Sequence, residues 1–220
     1  MRQATAWRVC LGLILVLLPG AGWGYEDGDI QIWSTQTIQG TVADGWKIRI
    51  GDEFRLGDDA SELYTDYVDM GVVHSVAGWL DLGLTYRSYH QRSGGVWSFQ
   101  KRPLLDVVLK GSFLGLSISN RSRAEWHVAG EGDDVWLYRD KVTATLPAEW
   151  SGFGVRPFLS WEGFFETEES EWVRHRFYAG AGRSLYGPIS LKLFYLLQRS
   201  RKGGDWLDYN VLGLGWTIRF

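Results

Sequence analysis

Cysteine is almost absent from this sequence, and proline and methionine are scarce. The 220 residues include a single cysteine, Cys10, together with five prolines and two methionines. Since Cys10 lies in an amino-terminal segment that we expect to be removed, the remaining chain offers neither a disulfide nor a cysteine-based metal site. After residue 24, the sequence also lacks any apolar run of the roughly 20 residues that a transmembrane helix needs. If this chain crosses a membrane, it does so as strands.

An excess of positive charge is also missing. The net charge is −3, and removing Arg2 and Arg8 from the 23 basic residues leaves 21 against 26 acidic ones, a net charge of −5. This balance gives no reason to expect nucleic acid as a partner. The histidines His74, His127 and His175 do not have metal-ligand spacing, so we predict no metal and no cofactor.

The first 24 residues have the pattern of an export signal. Arg2 and Arg8 supply positive charge, residues 9–18 form an apolar run too short to span a bilayer, and Gly22 and Gly24 are small residues suited to a cleavage site. We predict a signal peptide over residues 1–24, cleaved after Gly24. Residues 25–220 then form one mature domain.

Aromatic residues and glycine are abundant, with 13 tryptophans and 28 glycines, and they follow a period of two. The pattern is clearest at the carboxyl terminus, where every second residue is apolar: Leu212, Leu214, Trp216, Ile218 and Phe220. A strand places successive side chains on opposite faces, so this segment has one apolar face that runs to the last residue. Such an ending resembles the assembly signal of bacterial outer-membrane barrels, which implies a Gram-negative outer-membrane location and contact with the barrel assembly machinery.

Eleven alternating segments follow one another from Asp29 to Phe220. Their apolar stripes are long enough for tilted strands to cross a bilayer. We therefore predict an all-β fold, a single antiparallel transmembrane β-barrel of 10–12 strands that is monomeric. The first segment, near residues 30–41, is the weakest. Because bacterial barrels usually have even strand numbers, it is interpreted as a plug or an irregular edge beside ten strands, and twelve strands would require one more crossing. The connectors predict short turns at the periplasmic end and longer polar loops outside.

Short motifs along these segments resemble a known family. They are Glu53-Phe54-Arg55 with Gly57-Asp58-Asp59, Arg102-Pro103, Asn120-Arg121 with Arg123, Tyr138-Arg139-Asp140-Lys141, Arg174 and Arg176 with Tyr178 and Gly180, Tyr195-Leu196-Leu197-Gln198, and Asn210-Val211-Leu212-Gly213. Together they are similar to the domain of unknown function 2490 family of bacterial outer-membrane proteins. The resemblance implies a barrel in the outer membrane and carries no established activity.

The face predicted to point inward is basic, with fourteen cationic and six acidic side chains. Its central cluster comprises Arg49, Arg55, Arg87, Arg102, Asp106, Arg121, Arg123, Glu125, Arg139, Lys141, Glu162, Arg174 and Arg176. One interpretation is a packed interior in which charges pair across the lumen. The alternative is a narrow anion-selective porin for small acidic solutes. Mixed charge favours the first, a structural or interaction barrel.

A second alternative is a lipid hydrolase, although we expect no enzyme. Ser88 and His90 share one face near the outer end of the fourth segment, and a Ser–His pair can form an activated nucleophile. The same strand face contains no clear carboxylate to orient the histidine. We expect the partners to be outer-membrane lipid and lipopolysaccharide.

Overall fold

The computed structural model describes residues 26–129, 134–147 and 153–220, and these form eleven strands. The predicted signal peptide, residues 1–24, lies outside this range. The strands are β1 (Ile30–Ala43), β2 (Trp46–Gly57), β3 (Glu62–Ala77), β4 (Leu80–Ser93), β5 (Val96–Phe113), β6 (Leu116–Ala129), β7 (Val135–Thr145), β8 (Val155–Glu166), β9 (Glu171–Ser184), β10 (Ile189–Lys202) and β11 (Asp205–Arg219). No helix in the described ranges is long and apolar enough to cross a membrane.

All eleven strands join into one closed barrel in which each pairs with its neighbours in sequence. Ten of the pairings are antiparallel, and the eleventh closes the barrel by placing β1 parallel to β11, from Ile30 opposite Asn210 to Gln39 opposite Arg219. A ring of consecutive antiparallel strands with an odd number of members must contain one such parallel pair. The prediction of an all-β barrel is confirmed, whereas the interpretation of the first segment as a plug or irregular edge is wrong.

The first segment was hard to recognise because its polar and apolar residues are mixed. Ser34 and Gln36 occupy the outward positions between Ile32 and Ile38, which weakens the alternation that a strand shows in sequence. Hydrogen bonds to β2 on one side and β11 on the other hold this strand in place. Closure of the ring therefore overrides a weak local pattern, because an unpaired edge would leave backbone groups without partners.

The parallel closure defines two ends of the barrel. In the described chain, the N-terminal rim holds the start of β1 and residues 58–61, 94–95, 134, 167–170 and 203–204. The C-terminal rim holds Phe220 and residues 44–45, 78–79, 114–115, 146–147, 153–154 and 185–188. Two of the connectors predicted to be longer loops, 94–95 and 203–204, are only glycine pairs in the structure, and 58–61 and 167–170 have four residues each. Gly203 and Gly204 have φ of 61° and 98°, which glycine adopts without strain. Strands continue into the charged segments that the sequence suggested were loops.

Large apolar side chains project outward around the whole barrel. Examples on successive strands are Ile32, Ile50, Met70, Leu84, Leu105, Trp126, Tyr138, Leu159, Phe177, Leu193 and Leu212, each more than a third exposed. The inward positions between them are mostly buried. Apolar patches on the surfaces of soluble monomers rarely exceed a few hundred Å², so a belt of this extent marks a surface that contacts something other than water.

The apolar part of the interior is small and lies to one side. It consists of Trp33, Phe158, Tyr178, Leu196 and Val211, with Phe194 packed against it. Glycine makes room for Phe194, because a Cβ at Gly213 would overlap its ring and one at Gly180 would approach both Phe158 and Phe194. Outside this cluster, the buried interior side chains are mostly polar or charged, with Leu104 and Phe164 as apolar exceptions, so charged side chains largely determine what the barrel can hold.

Candidate functional site: the charged barrel interior

Two buried glutamates form the centre of the interior. Glu125 on β6 and Glu162 on β8 each have side chains that are 1% exposed. Arg139, on the intervening strand β7, donates from Nη1 to Glu125 Oε1 at 2.5 Å and from Nη2 to Glu162 Oε1 at 2.7 Å. One guanidinium thus bridges two carboxylates, an arrangement that its planar set of donors suits.

Strand register explains why these carboxylates are needed. Arg139 lies opposite Arg123, and Lys141 lies opposite Arg121, so two pairs of like charges face each other across β6 and β7. Like charges in direct opposition destabilise a sheet. Glu162 offsets this, since it accepts a bond of 2.7 Å from Arg121 and lies 3.8 Å from the Lys141 Nζ and 3.8 Å from an Arg176 nitrogen. The Tyr178 hydroxyl also donates to its Oε2 at 2.8 Å.

Further ion pairs connect this centre to the strands on the other side of the barrel. Arg123 binds Asp106 through two hydrogen bonds, and Arg87 binds Asp69 at 2.7 and 2.8 Å. These residues are direct cross-strand partners, so the register alone brings each pair together. Arg55 binds Glu53, two residues earlier on its own strand, at 2.6 Å.

Aromatic rings, which the charge pattern did not reveal, support the same cations. Arg55 lies over the Trp33 ring at 3.8 Å, Arg87 over Tyr67 at 3.7 Å and Arg102 over Tyr89 at 3.4 Å, each measured from Cζ to the ring centroid. Such stacking favours a cation whose hydration has been removed. The sequence does contain a signal for these contacts. In the period-two pattern, Tyr67 and Tyr89 fall at inward-facing positions, which places them beside the arginines on neighbouring strands.

The structure places all thirteen residues of the predicted lumen cluster inside the barrel. All of them except Asp106 line one or both of two cavities, which share Arg55, Arg87, Arg139 and Arg176 in their walls. The cavity of about 270 Å³ lies toward the N-terminal rim, and the one of about 210 Å³ lies toward the C-terminal rim. These four arginines therefore lie at mid-height, in the wall that both cavities share.

Ser88 and His90 lie on the outer surface of β4, close to a carboxylate that the sequence did not indicate. Asp66 on β3 is the register partner of His90, and its Oδ1 is 3.5 Å from His90 Nδ1. The β4 face that carries Ser88 has no carboxylate, as the sequence indicated; Asp66 comes from the neighbouring strand, and only the strand register brings it beside His90. No hydrogen bond joins the Ser88 hydroxyl to His90 in the described part of the chain, and the histidine ring packs against Phe99 at 5.0 Å.

The other three histidines lie at aromatic or interior positions. His74 stacks on Trp46 at 4.4 Å, His175 stacks between Trp172 and Trp206, and His127 contacts Glu125 at 3.1 Å. In the described ranges, no three histidine, cysteine or acidic side chains come together in a group able to hold a metal ion.

Acidic residues gather in the connector between β8 and β9. A hydrogen bond with Glu171, together with the negative charge of Glu166, raises the pKa of the exposed Glu169 carboxylate. Glu171 also forms an ion pair with Arg201. The N-terminal rim therefore presents both signs of charge to the solvent.

Comparison with known proteins identifies the family. No curated protein and no solved structure shows a significant match to the chain. A family model described as "Protein of unknown function (DUF2490)" matches residues 30–208, which cover β1 to β10 and the start of β11. The match includes every residue of the central ion-pair network, and the chain belongs to the DUF2490 family.

Proposed function

We propose that this protein is an integral β-barrel of the bacterial outer membrane, with a structural or binding role and an interior closed by ion pairs. The belt of outward apolar side chains supports the membrane location, because a closed barrel satisfies its backbone hydrogen bonds internally and can turn apolar residues toward lipid. Phe220 then lies at the periplasmic end, and the N-terminal rim faces outside. Lipopolysaccharide is the lipid that the rim contacts.

The bridge from Glu125 through Arg139 to Glu162 is the observation that supports a closed interior. It crosses three strands with donor–acceptor distances of 2.5 and 2.7 Å, and both glutamate side chains are 1% exposed. Glu162 also lies 3.8 Å from Arg176, and Arg176 Cζ lies 4.7 Å from the centroid of the Trp33 ring on β1, so the contacts continue across the interior. An ion moving along the barrel would have to separate these buried groups, and removing one partner of a buried ion pair is strongly unfavourable. The central layer therefore acts as a barrier and not as the lining of an open pore.

Planar-bilayer recording with the purified barrel tests this proposal. We expect no steady single-channel conductance from the wild-type protein, since Arg139 and its ion pairs with the two buried glutamates lie between the two cavities. A heat-sensitive shift in electrophoretic mobility would establish that the barrel is folded, and membrane fractionation of the producing cells would test the location. Steady conductance from folded protein would contradict the closed interior, and recovery in the soluble fraction would contradict the membrane role.

A narrow anion-selective porin is the second candidate. The surplus of cations favours it, because a lumen of one dominant sign concentrates anions. If this candidate is correct, anions carry the current, and Arg121→Glu and Arg123→Glu abolish or invert the selectivity. If neither substitution changed the conductance or its ion selectivity, the current would not pass these residues.

A lipid hydrolase is the third candidate, and the distance of 3.5 Å between Asp66 and His90 favours it. In that mechanism, His90 accepts the proton of the Ser88 hydroxyl as its oxygen attacks an acyl ester, and Asp66 stabilises the charged ring. The ester C–O bond breaks, His90 returns the proton to the leaving alcohol, and water then hydrolyses the acyl-serine by the same route. The side chains face outward near one rim, where lipid would be accessible. This candidate ranks below the other two because no hydrogen bond joins Ser88 to His90 in the described part of the chain.

A further inference from the structure

Two interior arginines hydrogen-bond only to neutral groups and also have no ion-pair partner in the described part of the chain, which sets them apart from Arg49 and Arg176. Arg102 on β5 donates from Nε and Nη2 to Gln100 Oε1 at 2.9 and 2.5 Å. Arg174 on β9 donates from Nε to the Ser200 hydroxyl at 2.9 Å. Neither has a carboxylate within ion-pair distance among the residues that the structure describes, whereas Arg55, Arg87 and Arg139 all do.

Both arginines line the same cavity of about 270 Å³, hereafter the vestibule. Its wall holds six arginines, which are Arg55, Arg87, Arg102, Arg139, Arg174 and Arg176. Two carboxylates also reach the wall: Glu125, which Arg139 already engages, and Glu166. The vestibule therefore carries more positive charge than its own side chains neutralise.

A second cavity connects the vestibule with the N-terminal rim. This mouth has a volume of about 290 Å³ and shares Tyr64, Gln91, Arg174 and Gln198 with the vestibule. Arg174 thus lies where the two cavities meet. A solute that enters through the mouth reaches Arg174 first and Arg102 beyond it.

We propose that the vestibule binds a small soluble oxyanion, with a phosphate or carboxylate group held by Arg102 and Arg174. Arg102 is buried and Arg174 is partly buried, and removing a cation from water without an ionic partner is unfavourable. A bound anion offsets that cost. Arg174 retains both Nη groups for a ligand, and guanidinium donors match the oxygens of phosphate and carboxylate. The volume is at the lower limit for ligand pockets, which restricts the solute to about the size of a single sugar or less. This binding does not depend on the membrane role.

Titration calorimetry on the folded mature barrel in detergent, in low-chloride buffer, tests the proposal with two probes, inorganic phosphate and glucuronate. We expect saturable binding of at least one probe. Arg174→Gln and Arg102→Gln should each lower the affinity about tenfold or more, the effect of losing a charge-assisted hydrogen bond. Arg183→Gln is the matched control, because it makes the same change on β9 at an exposed position near the opposite rim, and it should leave binding unchanged.

The two probes distinguish the source of the oxyanion. Binding of phosphate alone assigns a phosphate-bearing solute, binding of glucuronate alone assigns a carboxylate, and binding of both assigns a general oxyanion site. Folding of each variant is verified by its heat-sensitive mobility, and if Arg102→Gln does not fold, Arg174→Gln decides. Absence of saturable binding for both probes, or equal affinity in wild type and folded Arg174→Gln, would overturn the proposal.

Discussion

Arg123 and Asp106 lie opposite each other on β6 and β5 and form an ion pair through two hydrogen bonds, at 2.6 and 2.8 Å, with side chains only 3% and 6% exposed. This pair continues the central network toward β5, and Arg121 and Arg49 lie at its edge, within 4.0 and 3.9 Å of the same carboxylate. Each interior carboxylate in this layer serves more than one cation, so stability depends more on the acidic residues than on any single arginine.

The first prediction concerns Glu162. Glu162→Gln removes the charge that four cations approach, and we expect the free energy of unfolding to fall by about 3–5 kcal/mol, the usual effect of breaking a buried ion pair. Chemical denaturation of the folded barrel measures it. Glu168→Gln, an equivalent change in the exposed connector 167–170, should have almost no effect. A small loss for Glu162→Gln would mean that the interior cations are stabilised by water or a bound anion.

The second prediction tests the parallel closure of the barrel. Ile38 and Ile218 are register partners on β1 and β11, and the mature chain that the sequence predicts has no cysteine of its own. We expect Ile38→Cys with Ile218→Cys to form a disulfide under mild oxidation, visible as a mobility change without reductant. Ile38→Cys with Leu214→Cys, four residues out of register, should not. Crosslinking of Ile218→Cys to a cysteine on β2 would instead indicate ten strands.

The third prediction concerns the space for Phe194. Gly213→Val places atoms where the Phe194 ring lies, so we expect a loss of about 1–3 kcal/mol from overpacking. Adding Phe194→Ala should restore part of that loss, because it vacates the same volume. Gly111→Val is the control, since nothing lies within 4 Å of a Cβ at that strand position. If the double variant were less stable than both single ones, the clash would not be the cause.

The fourth prediction separates the hydrolase candidate from the preferred function. We expect Ser88→Ala and Asp66→Asn to leave the acylation of lipid A and the phospholipid composition unchanged, since Ser88 and His90 share no hydrogen bond in the described chain. Mass spectrometry of extracted lipids from cells with and without the protein measures it. A lipid product that appears with wild-type protein and disappears with Ser88→Ala would establish the enzyme.

The fifth prediction concerns the last residue. The Phe220 amide donates to the Gln39 carbonyl at 3.1 Å, and its own carbonyl accepts from Thr41 at 2.9 Å. We expect deletion of Phe220 to reduce the amount of folded barrel recovered in the membrane fraction, whereas Phe220→Tyr should retain it. Refolding in detergent distinguishes the causes: normal refolding of the deletion variant points to recognition by the assembly machinery, and slow refolding points to the lost β1–β11 contacts.

Much of the barrel could be predicted because alternation is a local property. In β6, charged residues such as Arg121, Arg123 and Glu125 alternate with less polar ones. This alternation alone predicts a strand with one polar face and one apolar face. The connectors were less predictable. Because Arg92 and Ser93 are polar, the sequence predicts that they belong to a loop. In the structure they continue β4, since the part of a strand that extends beyond the apolar belt can be polar on both faces.

The partners of the interior charges were not predictable in the same way. Parity indicates that Glu162 and Arg139 point inward, but it does not indicate which strands face each other or how far each is displaced along its neighbour. For the same reason, Asp66 was missed as the neighbour of His90, although both are outward by parity.

By itself, the sequence determined the strand content, the apolar outer face and the basic interior, because each follows from side-chain order at a period of two. The tertiary structure decided three further matters: the parallel pairing of β1 with β11, the sharing of Glu162 among several cations, and the absence of an ionic partner for Arg102 and Arg174 within the described chain. These depend on ring closure and strand register, which are set by all eleven strands together and not by any one segment.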